Sequence, residues 1–452
     1  MKKLAIGVLS VGALAVAGAL TISYHVGERI QQEFENTAQA WSSDDAFNVR
    51  VLEYQRGIVS SHAITMWSFV GEEDSYDIVA THDMVHGPWP MGQAAEITTR
   101  FQLPDSGEPE LAQALDGRDP LQWTITADWQ GATQHALASP DFSVQFQDQS
   151  SLAWGGLQAQ WHLSAERTAA KGEMHMPLMQ MKVEDDNQMT WEDVAIHFDS
   201  RIPEGHNFWE GPAQLKVGLL AIQEPESATD FRMQQWHIDS AIHLQDRLVQ
   251  MRLDSRAAKL DTADYSASNA VLTLQMRNID ASWLDQLMQW FQRSNAPEQE
   301  FALWQDLPAL LASQPEIAIE RLGLETQDGP ARLSAHLRYV GKQPDAFNPA
   351  TDIQAMLHAS VPKAMLMQLL EAKVRSDYLA LLEQLGQELE EQALEAAVQD
   401  GLHKRLQSLI DLGALQESET QYAAELELEQ GELKLNGTPT EMQTLLQLGD
   451  AI

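Results

Sequence analysis

The densest group of side chains able to do chemistry is His82, Asp83 and His86. Imidazole beside carboxylate can relay a proton or hold a metal ion. If residues 78–85 form a strand, His82 and His86 share one face, being four apart, and Asp83 takes the other. Three ligands then do not converge. The expected role is structural: Gly87 permits an unusual backbone angle, Pro88 and Pro90 stiffen an extended turn, and Trp89 fills a gap. The run Glu184-Asp185-Asp186-Asn187 lacks the glycine and the spaced glutamate of a calcium loop, so it reads as a solvated turn. His162, His197 and His237 fall on polar strand faces, where exposure is expected. The 14 histidines contain no H-E-x-x-H zinc pattern, and no G-x-S-x-G elbow, phosphate loop or dinucleotide fingerprint occurs. With no cysteine, thiolate nucleophiles, thiolate metal sites and disulfides are excluded. The expectation is a non-enzymatic protein with no catalytic residue, metal or cofactor.

A second set of residues suits binding rather than catalysis. Trp123, Trp129 and Trp161 fall on inward faces of alternating segments, and Met174, Met176 and Met276 accompany them. Such side chains fill a core. In a curled, one-sided sheet they can instead line an apolar groove, where large, soft groups suit an acyl chain.

The elements that must position these residues are mostly strands. Leu121, Trp123, Ile125 and Ala127 alternate with Gln122, Thr124, Thr126 and Asp128. Leu157 to Ala165 and Leu333 to Tyr339 repeat the pattern. Alternation of this kind marks antiparallel sheet with one face in water. Glycine-rich turns separate the runs, at Gly131, Gly155-Gly156 and Asp328-Gly329. Helical spacing appears at Glu110–Leu115, Ala281–Arg293, Glu298–Ala312 and throughout Lys363–Leu412, where Gly386 and Gly401 are candidate breaks. A hairpin turning at Gln430-Gly431 follows, then a helical turn capped by Thr440. The fold class is α+β, mostly antiparallel β: an N-terminal transmembrane helix, a long curled meander with helical insertions, and a C-terminal helical segment with a β-hairpin. The divisions expected are 1–22, 23–45, 46–350 and 351–452.

Lys2 and Lys3 precede an uncharged run from Leu4 to Ile22, 19 residues long, against the roughly 20 needed to cross a bilayer as a helix. The positive-inside rule leaves the lysines in the cytoplasm and sends the body across. A cleaved signal peptide is the rival, since Ala15-Val16-Ala17 and Ala17-Gly18-Ala19 both fit a cleavage site. Leu20 and Ile22 extend the apolar run past both, which favours a single-pass anchor. Val26, Ile30, Phe34, Ala38 and Trp41 continue at helical spacing. The balance of 66 acidic against 29 basic residues, a net charge of -37, repels phosphate and argues against nucleic acid as a partner.

Three segments resemble the YdgA-like family of membrane-anchored proteins of Gram-negative bacteria. They are Tyr54-Gln55-Arg56-Gly57-Ile58-Val59-Ser60-Ser61, His86-Gly87-Pro88-Trp89-Pro90, and Glu432-Leu433-Lys434-Leu435-Asn436-Gly437. Tyr54, Gly57, His86, Gly87, Pro88, Pro90, Asn436 and Gly437 carry the likeness as structural motif residues. Trp89 departs from the usual phenylalanine, and Val59 from a common aromatic. The resemblance implies an inner-membrane anchor, a periplasmic body and self-association, and it brings no catalytic residue. Two functions are expected to compete: a binder of lipid or another apolar ligand, and a structural protein with a filled core acting as a homo-oligomer or with envelope partners. An enzyme with an unrecognised site stands third.

Overall fold

The computed structural model describes residues 22–36, 38–39, 47–70, 75–88, 93–102, 109–183, 187–224, 229–263, 265–292, 307–385, 390–441 and 444. The expected anchor, Trp89, Pro90, the run 184–186, Gly386 and most of the last helical turn lie outside these residues. Among them, no helix is long and apolar enough to cross a membrane. The chain divides into two compact units, one of residues 1–201 and 213–230, the other of 202–212 and 231–452. Among the described residues, every strand pairing in either unit is antiparallel.

In the first unit, helix α1 covers residues 22–36. Strands β1 (Phe47–Arg56), β2 (Ser60–Val70), β3 (Ser75–His86) and β4 (Ala95–Gln102) pair in sequence order. Helix α2 (Pro109–Leu115) leads into β5 (Leu121–Ala127) and β6 (Thr133–Ser139). A short hairpin, β7 (Phe142–Gln145) and β8 (Ser151–Trp154), steps aside, so β6 pairs with β9 (Leu157–Leu163). The long strands β10 (Ala169–Lys182), β11 (Gln188–Arg201) and β12 (Gly211–Glu224) complete the sheet. β10 pairs with β9 through its first half and with β8 at Met179–Lys182.

The second unit repeats the logic with longer strands. β13 (Thr229–Gln245), β14 (Leu248–Thr262) and β15 (Ser266–Asp280) run into helix α3 (Ala281–Gln292) and helix α4 (Leu307–Ala312). β16 (Glu316–Thr326), β17 (Gly329–Tyr339) and β18 (Ile353–Pro362) follow. Helices α5 (Lys363–Leu385) and α6 (Glu391–Asp411) then intervene before β19 (Gln416–Glu417), β20 (Gln421–Glu429), β21 (Glu432–Leu435) and β22 (Thr438–Thr440). β20 returns to pair with β18, and Leu426 stands opposite Leu435 in the expected hairpin. Phe208, Val249, Ile279 and Leu284 form one core, with Met276 packed against it. Leu370, Leu402, Leu409 and Leu435 form another beneath α5 and α6.

Two expectations need correction. Gly401 does not break the C-terminal helical stretch; it lies inside α6. A side chain there would come within 2.8 Å of Val374 Cγ1, so the glycine lets α5 and α6 approach. Trp129 is not an inward strand residue. β5 ends at Ala127, because the Asp128 carboxylate accepts from the backbone N–H groups of Gln130 (2.8 Å) and Ala132 (2.9 Å), folding a turn. Trp129 sits in that turn, 50% exposed.

Candidate functional site

Directly opposed residues in an antiparallel sheet put their side chains on the same face. In the first unit this builds an unbroken row across ten strands: Tyr54, Ala63, His82, Thr99, Trp123, Leu137, Ala159, Met174, Ile196 and Leu215. A second row on the same face runs Ser61, Met84, Ile97, Ile125, His135, Trp161, Gly172 and Phe198. A Cβ on Gly172 would fall 2.5 Å from Trp161 Cβ and 2.9 Å from Phe198 Cζ, so glycine makes room for both rings.

Helix α1 covers the β1–β4 end of these rows. The Phe34 ring meets Tyr54 at 5.8 Å and the edge of His82 at 4.9 Å. Gly27 lies so close to His86 that a side chain there would overlap the imidazole. Ser23 is buried and its hydroxyl donates to the Gly87 carbonyl. Arg56 reaches the Tyr24 hydroxyl at 2.7 Å. Three motif residues therefore meet the helix: Tyr54, His86 and Gly87. Gly57 closes the β1–β2 turn, its N–H donating to Ser60 O at 2.8 Å. Asn436 and Gly437 belong to the second unit. There the Asn436 side chain accepts from Glu425 N–H (2.8 Å) and donates to Gly413 O (2.7 Å), and both residues take positive φ in the β21–β22 turn.

His82 and His86 share the covered face, and Asp83 points away. His82 is 3% exposed and spans two hydroxyls, Thr65 and Thr99, each at 2.8 Å. Burial pushes its pKa down to about 4. His86 is fully buried, with Nε2 3.0 Å from Ser61 Oγ, and burial lowers its pKa too. Burial raises that of Tyr54. Hydrogen bonds from His62 and Arg100 lower that of Asp83 on the exposed face. Ser61 beside a neutral His86 is the nearest approach to a nucleophile and base, yet both are buried beneath α1.

From β5 to β12 the same face mixes buried residues, such as Ala159, Val194 and Val217, with partly exposed ones. Trp123, Leu137, Trp161, Met174, Met176, Ile196, Phe198 and Leu215 are each partly exposed. Of the six residues assigned to an apolar groove, Trp123, Trp161, Met174 and Met176 lie here, Trp129 occupies the turn with its ring close to Gly87, and Met276 belongs to the second unit's core. Sequence reasoning missed His135, which shares its alternation with inward Leu137. It is 8% exposed and stacks on Trp161, centroids 4.8 Å apart and planes at 7°. Burial brings its pKa down to about 4. Its Nδ1 and Trp123 Nε1 are buried with no hydrogen-bond partner among the described residues. Such an omission costs ~1–3 kcal/mol per group.

A cavity of about 330 Å³ lies on β9–β12. It borders Met174, but its side chains are Gln158, Glu173, His175, His197 and Lys216, which alternate with the apolar row and face the other way. His175 is paired there with Asp193 at 2.9 Å. No group of three or more His, Asp or Glu side chains able to hold a metal occurs among the described residues.

These features define a mostly antiparallel β protein whose first sheet has one apolar, half-open face under a helix at one end. The chain matches the model of the family "Bacterial protein of unknown function (DUF945)" over residues 1–443, and it belongs to that family. No curated protein and no solved structure matches it.

Proposed function

We propose that this chain is a non-enzymatic, inner-membrane-anchored periplasmic protein that holds an acyl-chain lipid against the apolar face of β5–β12. The observation that carries the reading is the partly exposed row Trp123, Leu137, Met174, Ile196 and Leu215, which runs across the strands with buried Ala159 between Leu137 and Met174. Contiguous apolar surface of this kind marks a place where an apolar ligand can settle. The uncharged run Leu4–Ile22 would deliver a source of such a ligand. The YdgA-like motif residues Tyr54, His86 and Gly87, gathered beneath α1, support the anchored, periplasmic placement. The test is native mass spectrometry and solvent extraction of the purified full chain. Acyl lipid is expected to come away with it, and Met174→Glu, which sets a charge in the row, should cut bound lipid about tenfold. Wild-type chain that emerges free of lipid would sink the reading. Membranes washed with carbonate should retain the chain; its release would remove the anchor.

A structural role as a homo-oligomer is favoured by one other observation. Leu369, Leu379, Leu381 and Leu385 on α5 are 55%, 49%, 50% and 59% exposed. Cross-linking in membranes discriminates, since a strictly monomeric chain excludes it.

A further inference from the structure

The apolar face contains two nitrogen atoms with nothing to bond. Trp123 Nε1 and His135 Nδ1 are both buried and unpartnered among the described residues. Their rings are neighbours, with centroids 5.7 Å apart and planes at 29°. The indole nitrogen can only donate. The other imidazole nitrogen of His135, Nε2, lies 2.9 Å from the Thr133 hydroxyl. When that hydroxyl donates to Nε2, the proton of the neutral ring resides on Nδ1, which becomes a second donor. Filling a core gives no reason for this arrangement, because phenylalanine and leucine would pack the space without stranding polar atoms. Native interiors leave few such atoms unpaired, and each one asks for a partner.

We propose that Trp123 Nε1 and His135 Nδ1 donate hydrogen bonds to the head-group oxygen of an acyl ligand, a carboxylate or an ester carbonyl. The inference rests on the reading that this face takes an apolar chain, and it gives that chain a direction. The head lies at β5 and β6, and the tail crosses β9 to β12 over Met174 and Ile196. From β6 to β12 is four strand spacings, ~19 Å, comparable with the ~15 Å of hydrocarbon in one bilayer leaflet. Two donors suit a neutral ester, and the charge of Arg167, which acts on His135, suits a free acid as well.

The experiment titrates the full chain, purified in a non-ionic detergent and freed of lipid, with laurate, methyl laurate and dodecane. An oxygen-bearing ligand is expected to bind at least tenfold tighter than dodecane. Trp123→Phe, which keeps the ring and removes the N–H, should weaken that ligand about tenfold and leave dodecane unchanged, and His135→Phe should do the same. Whichever of laurate and methyl laurate binds better identifies free acid or ester as the source. Dodecane binding as tightly as both would overturn the donor assignment while sparing the apolar-face reading. Failure of all three to bind would overturn both. Unchanged laurate and methyl laurate affinities in Trp123→Phe and His135→Phe would hand the two nitrogens to a buried water and also overturn the assignment.

Discussion

His82 and His135 are neutral because the fold buries them, and this makes stability depend on pH with a definite sign. In the unfolded chain histidine titrates near ~6.5. In the fold both residues titrate at about 4. The unfolded chain therefore takes up protons first as pH falls. The stability these residues give is complete above the unfolded pKa and drains away towards the folded one. A displacement of this size is worth ~3 kcal/mol per group. Urea midpoints of the wild type should fall between pH 7 and pH 4.5, and His82→Gln should flatten that fall. A variant with the wild-type slope would show that the Thr65–His82–Thr99 bridge is not responsible. The window belongs to histidine, because Asp83, Asp254 and Asp261 have lowered pKa values and titrate below it. At this scale the sequence was half legible. The spacing of His82 and His86 put them on one face, since strand geometry has period two. The hydroxyls that bond them, Ser61, Thr65 and Thr99, come from two other strands, and register across strands cannot be read from one segment. His135 was missed for the same reason: its importance lies in Trp161, a neighbour 26 positions away.

Among the elements, α1 has the least ordinary contact with its sheet. Most helices bury large apolar groups, but α1 approaches through buried Ser23 and Gly27, with Phe34 packed on Tyr54 and His82. Gly27→Val should therefore be costly, because its side chain would collide with an imidazole that is itself fully buried and cannot step aside. Overpacking of this kind costs ~1–3 kcal/mol. Hydrogen exchange should show residues 22–36 opening while β2 and β3 stay protected. Equal protection of α1 in both proteins would mean that the helix is held elsewhere. Period-two alternation located β5, β9 and β17 within a few residues of their ends, because each has one wet face. It overran at Trp129, where the Asp128 side chain folds the backbone into a turn while the apolar alternation continues. Helical spacing found α5 and α6, but took Gly401 for a break, because a glycine that admits a neighbouring helix and one that ends its own look alike in sequence.

For the whole molecule, the excess of 66 acids over 29 bases is the dominant electrostatic fact. Surface ion pairs such as Lys171–Asp199, at 2.9 Å and well exposed, contribute ~0–1 kcal/mol each. They are outweighed by repulsion among the remaining carboxylates. Screening should help: between about 10 mM and about 150 mM salt the Debye length contracts from ~30 Å to ~8 Å. The melting temperature is expected to rise over that range, and a fall would mean that ion pairs dominate after all. Two compact units are expected to unfold in two transitions, which calorimetry should resolve.

Ser23 is pinned beneath the Gly87 carbonyl, and the apolar run ends at Ile22, one residue earlier. Consecutive Cα atoms are ~3.8 Å apart, so no slack chain separates the two. If that run crosses the bilayer, the first sheet cannot drift on a leash. It would be moored close to the lipid head groups, and its greasy face would begin within a helix length of the place where a lipid would leave its leaflet.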